Sequence, residues 1–515
     1  ISLFYKCLEI NKNSDATMYE VGGINQILKN YNTAIKYSKK AVEIAPENKW
    51  YNMQLANLYI KTKKYYSAVE TYKKLLESNK NDFNLYYNLA ALYNTLEQNN
   101  DAIEVYNSIE EKFGVSEAVS LTKNQLFLKL GKRESAYNEL KKLNKLYPKK
   151  PKYYGLLAEM YTNDNKFEKA KKLYAQLFDI DKDNNLGLLS EIILYRKMND
   201  YDTFFKKVNS IVLNEDIPTD SKILIFLSIL NNRKEVSENI EQIKASITNL
   251  VLKYPFNSDV RTIYADYLIK VKDFEQALIE LDFVIENSDA RLPVWDQVLS
   301  LNSYLGNTEK TYSLSKTAVD SFPQEPKMYY FAGISALQLE KNDETIKYLE
   351  EGLFKINDDE RLKLEFYTYL GEAYHNISNH KKSDKYFEKV IEIDPQNKYV
   401  INNYSYYLSL REVNLERAAE LSKRTIVLEP YNATYLDTYA WILFKAKKYE
   451  KALQYMKLAI KNSENTSFTL YHHYGDILYK NNLISDAIYF WKKAKEKGDT
   501  SAKLSYKIEN KKFRK

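Results

Sequence analysis

Asp437, Trp441, His472, His473 and Asp476 crowd into one short stretch near the C-terminal end of the chain. Three chemistries fit such residues. A carboxylate beside an imidazole can orient a general base. Paired histidines can ligate a metal. An acid one helical turn from an indole can grip a partner segment. Spacing separates these readings. His472 and His473 are adjacent, so on a helix they diverge by about 100° and rarely chelate one ion. The sequence has no His-Glu-x-x-His, calcium loop or nucleophile elbow, and Gly22-Gly23 lacks the preceding strand and the Lys-Ser/Thr of a phosphate loop. Cys7, the only cysteine, excludes an internal disulfide and any multi-cysteine metal site. With no activated nucleophile and no third orienting group, the stretch reads as non-enzymatic, with no catalytic residue, metal or cofactor.

The elements that carry these residues follow from composition and period. The 515 residues exceed one compact core and suit several domains or an elongated array. Only 12 glycines and 10 prolines disfavour a turn-rich β fold, and 47 tyrosines suit packing between helices with the hydroxyl at the edge. The 76 basic and 69 acidic residues read as well mixed, leaving a mild +7 that is no nucleic-acid footprint. No apolar run reaches the length of a membrane span, and the first residues do not read as a signal peptide, while the start at Ile1 rather than Met reads as a processed or trimmed N-terminus. Ala34, Ala68, Ala102, Ala136 and Ala170 recur every 34 residues, and the register resumes at Ala277, Thr311, Thr345, Ser383, Ala418, Ala452 and Ala487. Degenerate copies fit near Phe204 and Ile243.

A 34-residue period with small residues at fixed places resembles the tetratricopeptide repeat (TPR). Leu55, Ala56, Tyr59, Ala68 and Tyr72 match its pattern in one copy, and Tyr154, Leu157, Ala158, Tyr161, Ala170 and Tyr174 in another. Pro46, Pro148, Pro255, Pro323, Pro395 and Pro430 fall at the closing position. Small residues at repeat positions 8 and 20 let the two helices of a repeat approach closely, large residues fill the groove against the next repeat, and proline stops the second helix. The fold expected is all-α: a right-handed superhelical α-solenoid of about fourteen TPR helix pairs. The resemblance also implies that first helices line a concave surface through positions 2, 5, 9 and 12. Position 5 is then Asn402, Asp437 and His472, and position 9 is Tyr406, Trp441 and Asp476, two adjacent ladders mixing polar groups with exposed aromatics. The competing reading pairs Asp437 with His472 across repeats and half-buries Trp441 as packing. In the first repeats position 5 is Tyr19, Met53, Tyr87 and Leu121. This aromatic and apolar set departs from the Lys/Asn clamp that holds acidic C-termini and suits an apolar or extended segment.

Boundaries follow from breaks in the register. Residues 1–14 read as the second helix of a truncated preceding repeat, with Phe4 at position 24 and Cys7 buried at position 27. An N-terminal arm spans 15–204, and an irregular, longer or tilted pair or hinge spans 205–257. A central arm covers 258–397, with extra residues at 357–361. A C-terminal module covers 398–498, and 499–515 form a polar capping helix and a solvated basic tail. The C-terminal module resembles that of large bacterial TPR proteins, several of them envelope lipoproteins, through Asn402-Asn403-Tyr404, Leu436-Asp437-Thr438, Trp441 and His473-Tyr474-Gly475-Asp476. This implies a scaffold for protein or peptide partners within a multi-protein assembly on the periplasmic side of the bacterial cell envelope. Nucleic acid is not among the expected partners, and membrane association would come only through a missing N-terminal anchor or through partners. The alternatives are a transient peptide-binding or chaperone-like receptor using the concave groove, and a cytoplasmic location.

Overall fold

The computed structural model describes residues 1–513, and these contain fourteen helix pairs, a lone helix at each end and one short extra helix. Two compact units divide the chain, Ile1–Tyr254 and Pro255–Lys515. The first holds seven pairs, from Asp15–Ile27 with Tyr31–Ile44 to Thr219–Leu230 with Ile240–Lys253. The second holds seven more, from Ser258–Lys270 with Phe274–Asn287 to Phe468–Lys480 with Ile484–Glu496. Within each unit consecutive helices pack on one another, the all-helical stacked-pair architecture that the 34-residue period predicts.

Local chemistry punctuates most pairs at the same places. First helices open on Asn48, Asp82, Asn184, Asn257, Asn397, Asn432 or Ser467, whose side chains accept from backbone N–H groups of the first turn. The turn between paired helices passes through the left-handed region at Lys29, Lys63, Glu97, Asn165, Asn199, Lys272, Glu340, Ser378 and Lys447, where two other pairs use Gly131 and Gly306. A side chain there costs about 1 kcal/mol in backbone sterics, which glycine avoids. Lys63→Gly and Lys272→Gly should each therefore raise the stability of their unit by about 0.5–1 kcal/mol. Urea denaturation reads this, and a loss on either substitution would remove the turn explanation.

Helix contact depends on the small positions. Ala34, Ala56, Ala68, Ala90, Ala102, Ala158, Ala170, Ala440, Ala452 and Ala487 are all fully buried. Polar residues at these places satisfy the facing backbone: Asn124 Nδ2 donates to Ala136 O at 2.8 Å, and Ser383 Oγ donates to Gly371 O at 2.8 Å. At Gly371 and Gly475 glycine stands against a broad ring, and a Cβ on Gly371 would lie 2.6 Å from Phe387 Cε1.

Departures from the sequence expectations have identifiable causes. Cys7 is exposed, not buried. Helix Ser2–Ile10 turns Tyr5 toward Tyr37 and Leu8 toward the cluster of Met18, Ala41 and Tyr51, and Cys7 lies off that contact face. In the seventh pair the second helix is preceded by the short Arg233–Glu238. Two charged residues are buried in this pair: Lys222 Nζ donates to Asn214 O at 2.6 Å and to Tyr254 Oη at 2.7 Å, and Glu235 accepts from Arg196 Nε of the preceding pair at 3.0 Å. The extra residues at 357–361 lengthen helix Glu360–Asn376 to 17 residues, capped by Asp359 accepting from the Leu362 N–H.

Candidate functional site

The C-terminal module builds two neighbouring clefts from three first helices, Lys398–Arg411, Ala433–Lys445 and Phe468–Lys480. Their start signals, Asn397, Asn432 and Ser467, set the register that turns positions 5 and 9 to one side. The six ladder residues divide between the clefts. Asn402, Tyr406 and Asp437 line a cleft of about 420 Å³, together with Thr434 and the loop of Ser463, Asn465 and Ser467. Trp441, His472 and Asp476 line one of about 320 Å³, closed by Lys503 and Lys507 of the last helix, Ala502–Asn510, and by Phe513.

Asp437 does not pair with His472. Its carboxylate meets the Nδ1 of His473 at 2.9 Å, because the one-residue step between the histidines turns His473 toward the preceding repeat. Trp441 is not an open aromatic either. Its ring stacks on His473 at 3.8 Å and on Phe444 at 4.9 Å, under the Lys445 ammonium at 5.0 Å, leaving it 7% exposed. Even so, the Trp441 indole N–H and the Asn402 side-chain carbonyl are buried without a hydrogen-bond partner among the described residues. Burial and then Asp437 push the Tyr406 phenol up to about 12, so it stays a neutral donor or acceptor. One repeat earlier, position 9 is Glu372, whose carboxyl burial raises while it accepts from Tyr399 Oη at 2.6 Å.

The second cleft has a charged floor that sequence reasoning missed. Lys507 Nζ, 3% exposed as a residue, donates to both oxygens of Asp476 at 2.7 Å and contacts His472 Nε2 at 2.9 Å. Asp499 holds His472 Nδ1 at 2.6 Å, and Trp491 Nε1 donates to Asp476 at 2.9 Å. The supposed polar cap and solvated tail are thus partly internal: Leu504 and Lys507 are buried, and Phe513 packs on Phe444 and Tyr479. Residues 514 and 515 lie outside the described residues. The hint was the amphipathic Leu504-x-x-Lys507 spacing, which composition alone reads as solvated.

The partners assign the His472 tautomer. An ammonium can only donate, so Nε2 accepts from Lys507 and Nδ1–H donates to Asp499. Burial pulls the His472 pKa below its ordinary 6.5, and Lys507 adds to this against the opposing pull of Asp476 and Asp499. A proton on Nε2 would face the Lys507 ammonium. Because the folded value is depressed, the unfolded chain takes the proton first as pH falls. Stability of this corner is full above 6.5 and declines as pH falls from there through the folded value. Hydrogen exchange of Phe468–Lys480 and Ala502–Asn510 should show protection lost on acidification, and His472→Gln should abolish that step. Persistence of the step in the variant would assign it elsewhere, for instance to His375, which burial and His380 also depress.

With both ring nitrogens of His472 engaged and His473 held under Trp441, the arrangement suits holding rather than proton transfer. No group of His, Cys, Asp or Glu among the described residues is disposed to hold a metal ion. Tyr19, Met53 and Tyr87 lie in the first unit and line neither cleft. Tyr19 packs on Tyr51 at 5.0 Å, Met53 against the cluster around Tyr72, and Tyr87 on Phe83 at 6.0 Å. Among the described residues no helix is long and apolar enough to cross a membrane.

Comparison with known proteins returns family profiles described as tetratricopeptide repeat over residues 28–93, 151–184 and 253–494. A TPR repeat-containing protein of Methanocaldococcus jannaschii is 23% identical over 443 residues, covering 80% of this chain and 76% of its own. Among solved structures, that of Naa15/Naa10 bound to HypK-THB matches with a TM-score of 0.40 at 14% identity, over 96% of this chain and 78% of that one. The APC/C hetero-tetramer Cut9–Hcn1 matches at 0.36 with 16% identity, over 98% and 91%, and yeast Tom70 at 0.31 with 13% identity, over 96% and 94%.

Proposed function

Because this chain belongs to the tetratricopeptide repeat family, we propose that it is a non-catalytic scaffold whose C-terminal module grips a protein partner within a larger assembly. The observation that carries this is the pair of clefts. Successive first helices present Asn402, Tyr406 and Asp437 in one and His472 and Asp476 in the next, beside a loop of small polar residues. Stacked repeats make a long surface of which each pair supplies a strip, suited to burying large area against a partner. The assembly's place is the periplasmic side of a bacterial cell envelope, supported by the resemblance of the C-terminal motifs to envelope TPR proteins.

A second reading, a transient peptide receptor, has its own support. The orphaned Trp441 indole N–H and Asn402 carbonyl are a donor and an acceptor that an extended peptide backbone could satisfy after a small side-chain shift. One experiment tests both. Thr434→Arg with Asn465→Arg fills the first cleft from two exposed positions and leaves the core intact. Full-length protein is purified from gently solubilised native membranes, with and without these changes. A stoichiometric partner lost from the variant supports the assembly scaffold. A partner retained on dilution only by cross-linking supports the transient receptor. An unchanged set of partners removes the cleft from both readings.

A further inference from the structure

The net charge is not spread along the chain as a uniform mixture. Residues 129–172 carry thirteen Lys and Arg against five Asp and Glu, a net +8, whereas the whole chain carries +7. The stretches on either side are acidic, with two basic and six acidic residues in 95–128 and four and six in 173–206. The fold gathers part of this excess into one groove of about 510 Å³. Lys141 and Lys145 of helix Arg133–Leu146 form one rim, and Lys169 and Lys172 of helix Phe167–Ile180 form the other. The floor comes from the helix between them, Pro151–Asn163, through the buried Leu157 and Tyr161. No Asp or Glu lines the groove.

Four other lysines of the same segment are neutralised. Lys142 meets Glu110 and Glu139, Lys152 meets Glu117, Lys166 meets Glu134 and Lys171 meets Glu168. The buried Lys123 also holds Glu110 at 2.6 Å and Glu139 at 3.1 Å, and neither carboxylate lines the groove. The four rim lysines form no ion pair with a carboxylate of the described residues. Lys141 reaches only Asn138 Oδ1 at 3.3 Å, and Lys169 lies 5.6 Å over the Tyr161 ring. Their field extends beyond the groove: Glu134 is held below the usual carboxylate range by Lys166 first, and by Lys141 and Lys169 as well.

We propose that this groove docks an acidic segment of a protein partner, with carboxylates on the four lysines and an apolar or aromatic side chain on the half-buried Tyr154 and Leu173. The site lies in the first unit and is independent of the C-terminal clefts. Complementary charge selects the partner and speeds encounter, while Tyr154 and Leu173 supply apolar area. A nucleic acid fits less well. Phosphate backbones need an electropositive track along the protein, and here acidic stretches bound the basic segment on both sides. The rim holds lysines without the arginine fork that reads base edges.

The test uses the full chain and fluorescein-labelled probes: a synthetic peptide alternating Glu with Leu and Phe, its Lys-for-Glu counterpart, and a single-stranded RNA of similar length. Anisotropy should show the acidic peptide binding, weakening as salt rises, while the basic peptide does not bind. Reversing the rim with Lys141→Glu, Lys145→Glu, Lys169→Glu and Lys172→Glu should weaken it by about tenfold or more. These positions are exposed, so an unchanged circular dichroism spectrum is expected. The corresponding Lys→Arg changes should retain binding, and Thr434→Arg with Asn465→Arg should leave it unaltered even if the cleft reading fails. Equal affinity in the reversed variant overturns the proposal. So does failure of the acidic peptide to bind, or RNA binding at least as tightly as the peptide and lost in the same variant.

Discussion

Asp476→Ala lowers the stability of the second unit by about 3–5 kcal/mol, the cost of removing one partner from a buried, hydrogen-bonded charge pair. The Asp476 carboxylate accepts from the Lys507 ammonium through both oxygens at 2.7 Å and from Trp491 Nε1 at 2.9 Å, and it is only 3% exposed. Alanine leaves the ammonium and the indole N–H buried without their acceptor, while burial already disfavours the Lys507 charge. In a stacked array such damage stays near the end, so hydrogen exchange should localise it to Phe468–Lys480, Ile484–Glu496 and Ala502–Asn510. The double variant Asp476→Leu with Lys507→Met removes both charges and should recover most of the loss. Urea denaturation measures all three proteins. If the single variant costs less than about 1 kcal/mol, water reaches the pair and screens it.

Trp491→Ala has an effect of similar size, about 3–5 kcal/mol, because the indole is fully buried and little around it can collapse into the space. The more informative companion is Gly475→Ala. A Cβ at 475 would stand 2.6 Å from Trp491 Nε1 and 3.1 Å from the Ala487 carbonyl, so the indole must leave its bond to Asp476. Overpacking of this kind costs about 1–3 kcal/mol, more than the roughly 1 kcal/mol that alanine gains over glycine inside a helix. The preceding repeat places Ala440 and the flexible Met456 at the same two positions. In a Trp491→Met background, Gly475→Ala should therefore change sign and become neutral or stabilising. Equal destabilisation in both backgrounds would show that the glycine serves something other than the indole.

The fold was legible because its cause is local and repeated. Small residues at Ala34, Ala68, Ala102, Ala136 and Ala170 report a close helix crossing every 34 residues, and that crossing is what the structure contains. The candidate site was legible only as a set of positions. The step of four between Asp437 and Trp441 places both on one helix face, and they do share it, yet Trp441 is stacked under cover while Asp437 turns to His473. Lys507 and Asp499 carried no such signal, since a lysine in KLSYKIENKK reads as solvated until another helix is known to lie over it.

By itself, then, the sequence determined helix pairs, their number, the turns between them and the absence of a recognisable catalytic motif. Each of these depends on contacts between residues near in the chain or one period apart, and periodicity records such contacts directly. Only the tertiary structure decided which ladder residues are covered, which histidine meets Asp437, and which lysines find a carboxylate while Lys141, Lys145, Lys169 and Lys172 line a groove without one. Those outcomes turn on small differences between burying, pairing and solvating a charge. The balance is set by what the neighbouring repeat places opposite each group, and one repeat's own residues do not contain it.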